Sequence, residues 1–206
     1  ANLGRVIYTT GGSGFLYYLG LFPDGVHTLA QYGGDVNAAD NHASLVDMIE
    51  SDKEMVFSHN PSDVFICSPF EATSLSNFSI RGEGGIIGIT NATATNLRFT
   101  TCTNFKIHQI DVDGNKGDRS APGSRNLGSC IAVTLGVDWE IIGTKCHDNI
   151  SGAAIVAIDN ADTTAILETN GLIACNIIRD CGVLQGDSDG IFANSDNTRI
   201  IGNQIR

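Results

Sequence analysis

Four stretches in the second half of this chain repeat one degenerate pattern: Asn104–Gly114, Asp138–Asp148, Asn170–Asp180 and Asn197–Arg206. Aligned on Ile107, Ile141, Ile173 and Ile200, they are spaced by 34, 32 and 27 residues. Each holds an apolar anchor and a second apolar residue at plus five, and three of the four hold a polar residue three positions after the anchor. A unit of this size cannot bury its own apolar face and must stack on a neighbour, which is the mark of a solenoid. The units are short alternating runs without a helical period, so they are strands. The pattern predicts an all-β fold: a right-handed parallel β-helix wound from a single chain.

The plus-three position is held by Ile110, Thr144, Asn176 and Asn203. An inward amide at a corner can hydrogen-bond its counterpart in the next turn, roughly 4.8 Å away. Such a ladder satisfies polar atoms that burial would otherwise penalise; ordinary turn asparagines are the plain alternative. Alternation then puts Val112, Cys146, Ile178 and Ile205 inside. Leu97 with Phe99, Ile131 with Val133, and Ile191 with Ala193 supply a second strand per turn, and the long excursion from Asp113 to Gly128 bulges outward.

Glycine is frequent, at 24 of 206 residues, and only 17% of the chain is charged, which suits strands and turns better than helices. The net charge of −11 leaves no basic stripe to neutralise phosphates, so a nucleic-acid partner is not expected. The apolar runs are too short to cross a membrane, and membrane insertion is not expected either. The six cysteines show no CxxC pair and no zinc spacing, so buried, reduced thiols are expected, with neither a metal nor a cofactor.

Three regions follow from this reading. Residues 1–33 form a small strand-and-turn module with too little core to stand alone. Residues 34–54 form a linker and a helix over 40–51, capped by Asp40 or Asn41. Leu45, Val46, Met48 and Ile49 make its apolar face, and Asp47 and Glu50 face water. Laid over the open end of a β-helix, that helix would cap an unpaired edge. Residues 55–206 are then the first turns of the coil, and Arg206 falls in the middle of one, so further turns are expected.

Two segments carry a family resemblance. Residues 31–45, Gln-Tyr-Gly-Gly-Asp-Val-Asn-Ala-Ala-Asp-Asn-His-Ala-Ser-Leu, resemble the FGA-x-GDG-x-x-DD-x-A segment that opens pectate-lyase-like β-helix proteins. Asn41 stands where that pattern usually has Asp. Residues 80–85, Ile-Arg-Gly-Glu-Gly-Gly, resemble the GEG strand end that follows in the same proteins. With the upstream tyrosine- and glycine-rich module, the arrangement is similar to bacteriophage tailspikes over about residues 30–206. The resemblance implies a homotrimer joined to phage tail or baseplate proteins, sited on the virion. It also implies binding and cleavage of capsular or O-antigen polysaccharide at the bacterial surface. The superfamily spans hydrolases, lyases, epimerases and non-enzymatic binders, so the motifs speak for fold more than chemistry.

Candidate site residues come from the outward positions. Alternation stacks Asp111, Lys145, Ile177 and Gln204 in one outer column and Asp113, His147, Arg179 and Arg206 in the other. A strip of Asp113, His147 and Arg179 offers groups that tune one another for proton transfer or substrate binding; ordinary cross-strand charge pairing is the plain alternative. Glycosidic hydrolysis needs two carboxyl groups, and Asp180, Asp187 and Asp189 around Gly186–Gly190 are the catalytic candidates. That segment equally reads as a Gly/Asp/Ser turn or a calcium loop. The loop at 113–125 carries Lys116, Arg119 and Arg125, which could meet an acidic sugar or simply be solvated. Trp139 could stack on a sugar ring or pack in the core. Hydrolysis by paired carboxylates is the leading expectation. The alternatives are a lyase using a basic side chain such as His147 or Lys145, and a spike segment that only binds or supports.

Overall fold

A computed structural model describes residues 5–7, 17–19, 27–51, 54–82, 84–88, 94–118, 128–149, 153–158, 169–181 and 189–206. The chain winds into a parallel β-helix whose turns each pass through three sheets. Sheet A stacks Phe70–Thr73, Leu97–Thr100, Ile131–Thr134, Ala153–Ile158 and Asp189–Asn194. Sheet B stacks His27–Thr28, Glu54–Val56, Ser76–Arg81, Thr103–His108, Val137–Ile142, Leu172–Ala174 and Arg199–Ile201. Sheet C stacks Val64–Cys67, Gly85–Gly88, Asp111–Asp113, Lys145–His147, Ile177–Arg179 and Gln204–Ile205. Upstream, Arg5–Ile7 pairs antiparallel with Tyr17–Leu19.

The registers follow the repeat. Ile80, Ile107, Ile141 and Ile173 stack in sheet B and are fully buried. Val112, Cys146 and Ile178 stack in sheet C, buried as the alternation requires. Ile205 continues that column, where it is 55% exposed. Sheet A contains a turn that the sequence pattern skips. Ile155 pairs with both Ile131 and Ile191, but Ala153–Ile158 is apolar throughout and gives no alternation to read. The ladder also reaches upstream of Met55, since His27 and Thr28 pair with Met55 and Val56.

From Thr103–His108 onward, the corner between sheets B and C takes two residues per turn. The first is left-handed at Gln109, Gly143, Cys175 and Gly202, with φ of 56°, 64°, 56° and 63°, a conformation that turns the chain sharply but costs most residues energy. The second points inward and carries the ladder. Asn176 donates from Nδ2 to Asn203 Oδ1 at 2.9 Å and to the Ile141 carbonyl at 3.0 Å. Its own Oδ1 accepts the Thr144 backbone N–H at 2.8 Å. Cys175 is outward and exposed in consequence, against the expectation of buried thiols; Cys67, Cys102, Cys130 and Cys146 are buried, and all six are free.

At the N-terminal end, the helix His42–Ser51 sets Leu45, Met48 and Ile49 into the same core as Leu29, Met55 and Phe65. Asp40 ties the helix start to the coil, accepting the His42 N–H at 3.0 Å and the Ser68 N–H at 2.8 Å. Asn41 is buried. Its Oδ1 accepts the Asp35 N–H at 2.7 Å and its Nδ2 donates to the Ile66 carbonyl at 3.0 Å. The second bond needs a donor, which an ionised Asp could not supply, so Asn suits this position.

Candidate functional site on the outer face of sheet C

The outer face of sheet C brings together the residues with the richest chemistry among those described. Asp113 lies opposite His147, which lies opposite Arg179, and Asp111 lies opposite Lys145. The two outward columns are therefore in the expected register. His147 does not bond its direct neighbour, however. It reaches diagonally, with Nε2 2.9 Å from Asp111 Oδ1, while Nδ1 lies 2.7 Å from Asp148 Oδ2. Asp113 turns its carboxylate to the Asn115 backbone N–H at 2.7 Å instead. Lys145 Nζ approaches the other Asp111 oxygen at 3.4 Å.

This geometry sets the charges. The hydrogen bond to Asp111 raises the His147 pKa to about 9; partial burial opposes the shift, and the bond to Asp148 adds to it. Held between two carboxylates, the imidazole carries both protons and donates from both nitrogens. Burial by itself would push the Asp111 pKa up, but the hydrogen bond and charge of His147, aided by Lys145, outweigh it and hold the carboxyl below its usual range.

A shallow hollow of about 120 Å³ opens beside these groups, lined by Pro61, Val64, Gly85, Asp111, Asp113 and His147 among others. Gly85 forms part of its wall without a side chain. A Cβ there would sit 3.2 Å from the Asp111 carbonyl oxygen and 3.3 Å from its Cβ. The hollow falls well short of the roughly 300 Å³ of an enclosing ligand pocket, so it can take one edge of a larger molecule lying across the face. Candidate ligand atoms of Asp113, His147 and Asp148 lie within 4.8 Å of one another. Both ring nitrogens of His147 are already engaged, and the cluster reads as an ion-pair network, not as a metal centre.

The other candidates are placed differently. Asp180 follows Ile177–Arg179 in the left-handed conformation, φ 53°, as Asp148 does one turn earlier at 49°. It is exposed, and its carbonyl accepts Lys116 Nζ at 3.3 Å. Asp189 opens a strand of sheet A opposite Ala153. Asp187, Arg119 and Arg125 lie outside the described residues. Trp139 corrects the idea of an aromatic sugar platform. Its side chain points inward, is 3% exposed and stacks on Phe105 at 6.4 Å, continuing the Phe78–Phe105 stack at 5.1 Å. Gly171 above it leaves room for the indole, since a Cβ there would fall 2.3 Å from Trp139 Cζ2. Asp111 and Asp148, the partners of His147, are the residues that sequence reading left out of the site. Asp111 was visible as an outward position, whereas Asp148 lies in a turn, where no alternation marks it.

No known protein family profile matches the chain, and no curated protein sequence does. Among solved structures it is similar to a provisionally assigned glycosyl hydrolase from Parabacteroides merdae, at 14% identity with a TM-score of 0.54. The match covers 86% of this chain and 94% of that one. At this identity the likeness is one of fold.

Proposed function

We propose that this protein is a β-helix depolymerase that hydrolyses capsular or O-antigen polysaccharide at the bacterial surface, in the manner of a trimeric phage tailspike. The observation that carries the reading is the hollow lined by Asp111, Asp113 and His147. Two carboxylates on alternate positions of one strand share a face, with Cα atoms roughly 6–7 Å apart, and glycoside hydrolysis needs two carboxyl groups flanking the bond. In this reading Asp111, kept ionised by His147 and Lys145, activates water or steadies positive charge at the sugar. Asp113 is the partner carboxyl. The fold likeness to a protein assigned to glycoside hydrolysis adds support, as does the tailspike-like arrangement of about residues 30–206.

His147 argues for hydrolysis over elimination. A lyase base must be unprotonated to remove the proton next to a uronate carboxyl, and an imidazolium with a pKa near 9 is a poor base at neutral pH. The test uses a panel of capsular and O-antigen polysaccharides, with reducing ends and ultraviolet absorbance followed together. New reducing ends without absorbance are expected. Asp111→Asn and Asp113→Asn should each lower the rate about 100-fold or more. An absorbing, unsaturated product would replace hydrolysis with a lyase. Loss of activity in Asp180→Asn, Asp187→Asn or Asp189→Asn, with Asp111→Asn unaffected, would move the chemistry to the turn around those residues.

A further inference from the structure

The outer margin of sheet B presents a second polar surface, remote in register from the sheet C hollow. Asn77, Asn104, Asp138, Asn170 and Asn197 occupy one column there, each left-handed, with φ between 42° and 58°. Amides and carboxylates in this column bond along it: Asn104 Nδ2 donates to Asn77 Oδ1 at 2.7 Å, and Asn170 Nδ2 donates to Asp138 Oδ1 at 2.9 Å. The left-handed backbone explains why Asn and Asp stand at these positions. It does not explain what lies beside them.

Two residues further along the strands runs a second outward column, Lys106, Glu140, Leu172 and Arg199. Lys106 pairs with Glu140 at 2.8 Å. Among the described residues no carboxylate pairs with the Arg199 guanidinium. Between the columns run two concavities, of about 230 and 630 Å³, and both are lined by Asp138, Asn170 and Arg199. The surface therefore combines a cationic fork that no carboxylate pairs with among the described residues, a row of hydrogen-bonding groups advancing roughly 4.8 Å per turn, and an apolar step at Leu172. A glycan offers the matching set: hydroxyls along its length, an apolar ring face, and a carboxylate where it contains a uronate.

We infer that this margin of sheet B is a binding track for an acidic, uronate-containing polysaccharide, in which Arg199 holds the sugar carboxylate. The inference deepens the glycan-acting function proposed above and rests on it. Arg199 supplies a planar fork that a carboxylate can meet with two parallel hydrogen bonds. Lys106 adds charge one end of the groove away, and Asn104, Asp138 and Asn170 meet hydroxyls. The chain lies along the coil, crossing successive turns.

The test immobilises alginate, hyaluronan, polygalacturonate and a set of uronate-containing capsular polysaccharides, with neutral dextran as reference. The full chain should be retained by at least one acidic polymer and not by dextran, and retention should fall as salt rises. Arg199→Ala should weaken it about tenfold; Lys106→Ala should weaken it less, and Arg199→Lys should recover only part. Both side chains are exposed, so unchanged circular dichroism and melting temperature will show that the variants are folded. Equal binding by Arg199→Ala, binding to dextran as strong as to the acids, or no retention on any acidic polymer overturns the track. Reducing-end release on the same samples separates the two claims. Retention lost in Arg199→Ala without any cleavage by the parent chain keeps the track and sinks the hydrolase. Cleavage with retention indifferent to Arg199 does the reverse.

Discussion

His147 and Asp111 are joined across one turn of the coil by a 2.9 Å contact that runs diagonally, past the directly opposed Asp113. A diagonal pair of this kind bonds two strands that share no covalent neighbour for more than thirty residues. It also stores proton affinity.

The pH dependence follows from that pair. The folded-state pKa of His147 is raised to about 9 from an ordinary 6.5, so its contribution to stability is complete below about pH 6.5, declines above it, and is gone above about pH 9. Asp111 is shifted the other way, so its contribution is complete above the ordinary carboxylate range and is lost as the pH falls through and below that range. Imidazole resonances of His147 followed by NMR should titrate near 9, and Asp111→Asn should bring that midpoint down. A His147 midpoint near 6.5 in the parent protein would dismiss the ion pair.

Asn176 is the best-satisfied member of the corner ladder and should be the costliest to remove. Asn176→Ala takes the partner from the buried Thr144 N–H and the side-chain donor from the Ile141 carbonyl, at a cost of about 2–3 kcal/mol. Asn203→Ala, at a half-buried position, should cost about 1 kcal/mol. Urea denaturation measures both, and equal losses would show that the ladder is no more than a row of turn residues.

The helix junction allows a test by charge. Asn41→Asp replaces the donor to the Ile66 carbonyl with an acceptor at a buried position, which should destabilise by about 1–3 kcal/mol at neutral pH. The introduced carboxyl should have a raised pKa, because its protonated form restores the donor. Lowering the pH should therefore recover stability relative to the parent, and thermal melting across pH 4–7 would read it. A pH-independent loss would mean that the site senses shape alone.

The parts of the fold legible in the sequence are those that repeat with a polar mark. Ile107, Ile141, Ile173 and Ile200 are legible because a polar-capable corner follows three of them at one fixed distance. Ala153–Ile158 carries no such mark: every side chain is apolar, so nothing distinguishes its inward face from its outward one. The site was half legible for a related reason. Alternation places Asp113 and His147 opposite one another, but which carboxylate the imidazole takes depends on side-chain reach, and Asp113 is diverted by the nearby Asn115 N–H. Trp139 shows the same limit. Its inward direction follows from register with Phe105, while the space that admits it depends on Gly171, thirty-two residues away.

The corner between sheets B and C works as a gauge for the whole coil. From Ile107 onward it spends the same two residues in every turn, so the unequal spacings of 34, 32 and 27 residues are absorbed entirely at the other two corners. Length can be added or removed there without shifting a single stacked pair. A lineage carrying this coil can vary the length of its turns at those corners while the stacked scaffold keeps count.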